Sequence, residues 1–455
     1  MHSTSTSPVS VESGGDGVAT HVGLHALGAL ADRVGLGASL SSRIAPRGER
    51  LPLHDRGKVL VQMALVLAGG GESCADIEHL RIQEELFGSV PSDTTVFRTF
   101  HEFDTGQRAH LAEALAEVRA RVWAKLDTRP SDPVILDFDA SLVDVHSELK
   151  EQAAPTYKKG FGFHPLFVFA DQTGETLAAK LRAGNAGSNT VTDHVEVFDA
   201  AVAQLPASVT RGHHAGDDPS LVERSVIARA DGAGCTEGFL AACRERNVTF
   251  FVTARSNAQI TGAIYAASDQ PDRWQPSRTQ KGEVHSEASV CEMTEHLDLA
   301  DFPTGTRCII RREPLHPGAQ RSLFPSHDYR YWGFYTDAAG DPVALDVTTR
   351  AHAHVESYIQ RLKESGLCRF PFTKFEANSN WLMTVALAAD LVRWFQLLCL
   401  EGRWREARPK TLRWEIFHAP GRLVCRSRRR IVRLLEGWPS AGVLLGAYQR
   451  LALLT

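Results

Sequence analysis

The chain has 455 residues, 43% of them hydrophobic and 23% charged, with a formal net charge of -4. That length allows two or three domains with cores of their own and excludes a peptide hormone or a stapled mini-domain, and the composition is ordinary for a soluble globular protein. No uninterrupted apolar run approaches the roughly 20 residues that span a bilayer, so no membrane partner is expected.

Residues 1–20 are rich in Ser, Thr and Gly and lack the basic head and apolar centre of a secretory signal. They read as a disordered lead-in, and the expected compartment is the cytoplasm. The eight cysteines include no Cys-x-x-Cys pair, which suits reduced thiols better than zinc ligands or a disulfide framework.

Residues 21–129 carry apolar positions at helical spacing, among them Leu24, Leu27 and Leu30, then Val59 and Met63, then Leu111, Leu115, Val118 and Val122. An all-α N-terminal domain is expected. Within it a helix over 75–87, a Gly88 turn and a second helix capped near Ser92 form a candidate helix-turn-helix for DNA.

At Pro130 the texture changes, and the run Val134-Ile135-Leu136 opens a β-type segment. Strands follow at 165–170, 176–181, 226–230 and 249–253, with helices at 192–204 and 236–246. The order is β-β-β-α-β-α-β. Three consecutive strands followed by alternating helices and strands resemble the ribonuclease-H-like fold, placed over 130–255. The helical signal fades over 256–346, read as a β-rich insertion, and returns at 351–364 and 381–400, so 347–400 is the second part of the core. The remainder, 401–455, is expected to be helical and basic. Between Glu401 and Arg433 eleven Lys and Arg stand against three Glu, a net of +8. Interleaved with Trp404, Trp414 and Phe417, that run suits phosphate neutralisation and stacking as well as it suits a solvated helix face.

Three acids stand out. The strand at 134–140 carries Asp137 and Asp139 two residues apart, on one face. A buried carboxylate is costly unless it is paired or metal-bound, and Mg²⁺ prefers hard oxygen ligands. Asp231 closes the apolar strand at 226–230 and is followed by Gly232, which allows close approach. In residues 351–363, Val355, Tyr358, Ile359 and Leu362 form an apolar stripe, with His352, Glu356 and Lys363 along its edge at about 100° per residue. Each feature alone has an ordinary structural reading, as a turn, a cap or a surface helix.

Taken together, Asp-x-Ser on a first strand, Arg-Ala-Asp-Gly on a fourth and a Glu followed seven residues later by Lys resemble the DDE transposases of bacterial insertion sequences. The likeness covers most of 130–400. It is closest to the hairpin-forming, cut-and-paste branch, in which a β-rich insertion separates the second Asp from the Glu. Here that separation is 125 residues. The resemblance implies catalytic, metal-binding Asp139, Asp231 and Glu356 holding two Mg²⁺ (or Mn²⁺) ions, with Asp137 a supporting or alternative acid. It selects Asp139 over Asp137 because Ser141 follows. The branch's Tyr, Arg, Glu, Lys signature maps to Thr349, His352, Glu356 and Lys363, so only Glu and Lys match. His352 and Arg350 are candidate phosphate contacts beside Lys363, and Trp332, with Trp274 second, is the candidate for stacking on a flipped base. The implied partners are transposon-end DNA and target DNA, bound by a homodimer in a synaptic complex.

Two other readings remain open from sequence. Leu136-Asp137-Phe138-Asp139-Ala140-Ser141 also fits the pattern of haloacid-dehalogenase-type phosphatases, with Asp137 as nucleophile. A domesticated transposase that binds DNA without cutting it is the other.

Overall fold

The computed structural model describes residues 14–44, 53–126, 130, 132–268, 270–315, 318, 329–427 and 429–454. Most of the lead-in and Arg428 of the basic run lie outside them.

The N-terminal part is helical: α1 (Val22–Arg33), α2 (Leu36–Arg43), α3 (Arg56–Ala68), α4 (Asp93–Glu102) and α5 (Thr105–Ala124). Side chains cap three of the starts. Asp55 accepts from the Lys58 N–H, Ser92 from that of Thr95, and Asp104 forms a reciprocal box with Gln107. The helix expected over 75–87 is instead three short turns, Cys74–Ile77, Glu78–Arg81 and Glu84–Phe87. Only Ile77 and Leu80 in these turns are buried, too little apolar face to hold a continuous helix.

The centre is one nine-stranded sheet. In chain order its strands are β1 (Val134–Ala140), β2 (Leu166–Ala170), β3 (Glu175–Lys180), β4 (Val226–Ala230), β5 (Thr249–Ala254), β6 (Gln275–Arg278), β7 (Val284–Glu292), β8 (Arg307–Pro314) and β9 (Tyr329–Thr336). Across the sheet they lie β6-β7-β8-β9-β5-β4-β1-β2-β3. β1, β4 and β5 are parallel neighbours, while β2 and β3 run antiparallel as a hairpin beside β1. Helices α6 (Val191–Val202) and α7 (Glu237–Glu245) make the crossovers that parallel strands require.

Segment 256–346 begins with α8 (Ala258–Ser268), an Ala-rich helix that the sequence reading missed, and then adds β6 to β9 antiparallel to the same sheet. α9 (Pro342–Arg350) follows, then a 3₁₀ turn at Ala351–His354, α10 (Val355–Leu362) and a π turn at Lys363–Leu367. The 25-residue α11 (Phe375–Cys399) is long and apolar enough to cross a membrane by length and composition. Its most apolar window is 83% buried against both the N-terminal helices and β3, so it is a core helix.

The C-terminal part departs from the helical expectation. Its basic run folds into a hairpin of β10 (Gly421–Arg426) and β11 (Arg429–Leu434), joined at β10 by the short strand Val18–Ala19, before α12 (Ala441–Leu453). All eight cysteines are free.

Candidate active site

The parallel register of β1 and β4 sets the site. Asp137 pairs with Arg229 and Phe138 with Ala230, so Asp139 and Asp231 lie one step past the last paired position. Side chains two residues apart share a face, which puts Asp137 with Arg229 and Asp139 with Asp231 on the same side in consecutive rungs.

The first rung is closed. Asp137 is 0% exposed. Arg229 Nε and Nη2 donate to its two oxygens at 2.8 and 2.6 Å, and His352 Nδ1 lies 2.8 Å from Oδ1, so that nitrogen carries the proton. Arg229 also pairs with Asp171 at 3.0 Å and donates to the Thr348 carbonyl. Burial alone would push the Asp137 carboxyl up; the bonds from His352 and Arg229 outweigh it and hold the group below its ordinary range. A nucleophile needs a free oxygen facing solvent, and Asp137 has none, so the phosphatase reading of Asp137 is corrected by this pairing.

The second rung is open. One Asp139 oxygen accepts from the Ala140 N–H at 2.7 Å, and Asp231 caps the turn after β4 by accepting from the Ala233 N–H at 2.8 Å. Burial raises the Asp139 carboxyl, and the charges of Asp231 and Glu356 raise it further, against the Ala140 bond and His352, to about 6. Glu356, exposed in the first turn of α10, is therefore close enough to act on Asp139 across the site. Like charges facing one another favour a bound cation, and carboxylate oxygens suit Mg²⁺ or Mn²⁺. Among the described residues no three His, Cys, Asp or Glu side chains are already gathered as a metal-ligand set. The acids converge in charge without forming a closed ligand shell.

α10 is held to this face by Tyr358, whose hydroxyl donates to the Asp171 carbonyl and lies 2.9 Å from Asp171 Oδ1. Its ring packs on Phe169 of β2. His352 stands in the 3₁₀ turn before α10, where its Nδ1 reaches Asp137 and where, like Glu356, it acts on Asp139. Only its Nε2 remains for a phosphate.

The whole chain, residues 1–455, matches the family described as Transposase DDE domain group 1. The chain belongs to the DDE transposase family. Its members cut and join DNA and generally use divalent metal ions. Comparison with curated proteins gives no match. Among solved structures, a chain of a piggyBac transposase synaptic complex with hairpin DNA, determined by cryo-EM, is similar at TM-score 0.41 and 9% identity, over 87% of this chain and 79% of that one.

The other expected contacts of the transposase are scattered around the acids. Arg350 is engaged, its Nε 3.0 Å from Asp346 and its guanidinium donating to the Arg278 carbonyl. Lys363 is half-buried where α10 passes into the π turn, with no ion pair to any described residue. Thr349 donates back to the Leu345 carbonyl within α9. Trp332 is 43% exposed on β9, with the Arg330 guanidinium 4.6 Å from its ring centre. It lines a groove of about 320 Å³ with Tyr265, Tyr329, Tyr331 and Ile260. Trp274 is buried, its indole N–H donating to the Ala267 carbonyl, and serves the core. The His213 ring is likewise buried between two backbone carbonyls.

Sequence reasoning missed Arg229, Asp171 and Tyr358 as organisers of the site. The signal for Arg229 was present: an arginine inside Val-Ile-Ala-Arg-Ala has to find a buried acid.

Proposed function

We propose that the chain is the transposase of an insertion sequence, cutting transposon ends and joining them to target DNA by two-metal phosphoryl transfer at Asp139, Asp231 and Glu356. The observation that carries the reading is the open rung, where burial, joined by the charges of Asp231 and Glu356, lifts Asp139 to about 6 while the neighbouring Asp137 is fully paired. The order β3-β2-β1-β4-β5, with β2 antiparallel and β4 and β5 parallel to β1, supports a ribonuclease-H-like core. Segment 256–346 is then its β-rich insertion.

The three carboxylates would hold two Mg²⁺ or Mn²⁺ ions. Ions held there would supply the activation of water or a 3′-hydroxyl and the charge stabilisation that phosphoryl transfer needs. The protein's part is positional. Arg229 and His352 lock Asp137, which fixes β1 beneath Asp139. Tyr358 ties α10 to Asp171, which fixes Glu356 over the strand ends. Lys363 and the free Nε2 of His352 are the phosphate contacts of this reading, with Arg350 available once it leaves Asp346. Trp332 in its aromatic groove is the platform for an unstacked base. A homodimer binding two ends, acting at the bacterial nucleoid, completes the proposal.

The test incubates purified protein with Mg²⁺ and DNA bearing the element's own ends. Strand cleavage is expected from the parent and lost in Asp139→Ala, Asp231→Ala and Glu356→Ala. Equal cleavage by all four proteins would remove the assignment.

A further inference from the structure

Building on the transposase reading, we propose that the β10–β11 hairpin is a DNA-backbone clamp, its outer face a four-arginine platform for the phosphates of a duplex. The register places Arg422 opposite Arg433, Val424 opposite Ile431 and Arg426 opposite Arg429. Alternation puts all six on one face. All four arginines are exposed, and none forms an ion pair with a described residue. Like charges directly across a ladder destabilise a hairpin, and here two such pairs follow one another with only Val424 and Ile431 between them.

The opposite face explains why the hairpin forms nonetheless. Leu423, Val432 and Leu434 are half-buried on that side, and Val432 and Leu434 pack on the main core. The Leu423 N–H donates to the Gly17 carbonyl, and Arg430, on this inner face, donates to the Glu85 carbonyl. Anchoring therefore fixes the outer arginines in place instead of leaving them to spread. A strand rises about 3.3 Å per residue, so the two arginine pairs stand about 13 Å apart. That is close to the roughly 12 Å width of a major groove, which admits a two-stranded ribbon. Such a platform meets phosphates on both walls, a sequence-independent contact.

Binding of the full-length protein to a fluorescein-labelled DNA duplex of arbitrary sequence, measured in EDTA between about 50 and 200 mM salt, tests the clamp apart from cleavage. In Arg422→Gln/Arg426→Gln/Arg429→Gln/Arg433→Gln, affinity is expected to fall by about tenfold or more and the slope of log K against log salt to shrink by about 3.6. The matching four-fold Lys variant should keep the slope. Arg426→Gln and Arg429→Gln, at the tip, each reduce it by about one and guard against misfolding of the multiple variant. The clamp is overturned if the two tip variants leave slope and affinity unchanged. It is also overturned if the arginines matter for a single-stranded RNA of equal length but not for the duplex. Failure of the acid variants to affect cleavage would count against the active site and leave this binding result standing.

Discussion

Two neighbouring rungs of the same strand pair, Asp137–Arg229 and Asp139–Asp231, begin with the same chemistry and end with opposite roles. Both present a carboxylate to one face of the sheet. In the first an arginine answers the charge, and the acid becomes part of the frame. In the second another acid faces it, and the charge is left for something from outside. The residue across the ladder decides which acid is structural, and that residue is 92 positions away in the chain.

The contrast breaks most sharply in cleavage. Asp139→Asn should reduce strand cutting by about a thousandfold or more, as when one member of a group acting as a unit is lost, while the melting temperature does not fall. If Asp139→Asn cut normally, the open rung would have no chemical role. Arg229→Met attacks the closed rung, leaving buried Asp137 and half-buried Asp171 without their shared cation. Urea titration should then show a loss of about 3–5 kcal/mol. A neutral unfolding curve would mean that His352 alone satisfies the pair. Next comes metal. At a hundredfold excess over its Kd, Mg²⁺ should stabilise the parent by about 2.7 kcal/mol, read as a rise in Tm that Asp139→Asn does not share. A rise of the same size in both would move the ions elsewhere.

A third setting sharpens the comparison further. Arg119 of α5 is buried between Glu175 of β3 and Asp390 of α11, at 2.9 and 2.6 Å, so one cation serves two acids. Burial first, and then the Glu175 charge, raise Asp390 to about 7 despite Arg119. The folded protein keeps a proton that the unfolded chain releases near pH 4. Stability from this group is therefore full below that pH and lost as pH rises towards 7. Asp390→Asn should remove that decline, so its Tm relative to the parent rises from pH 4 to 7 and then levels. A constant difference across that range would show Asp390 to be ionised throughout.

Much of the site was legible because its signals are local. An acid ending an apolar strand, as at Asp231, and two acids alternating in Val-Ile-Leu-Asp-Phe-Asp-Ala can be read from periodicity alone. The choice of Asp139 over Asp137 rested on Ser141 and family pattern, whereas its physical cause is the register that brings Arg229 beneath Asp137. Register is a long-range property, and no local window contains it. Glu356 was found on its helix and His352 just before it, but the bond from His352 to Asp137 is a long-range contact that no helical phase reveals. The hairpin at 421–434 was hidden by its arginines. Leu423, Val432 and Leu434 do alternate, but the charged residues between them suggested a helix face. The Ala-rich α8 has too weak an apolar stripe to announce itself against the strands that follow.

The Arg119 cluster also bears on where the polypeptide can be divided. Trp123 of α5 and Trp394 of α11 both donate to Glu175, and Gln204 bridges Arg119 to the Ala112 carbonyl. The N-terminal helices therefore supply the only cation of a buried triad, as well as one wall of the α11 core. A shortened product begun at Val134 would leave two carboxylates stranded in apolar surroundings and that wall missing. Such a fragment is expected to be less stable than the full chain, so the central sheet and the N-terminal helices should behave as one folding unit.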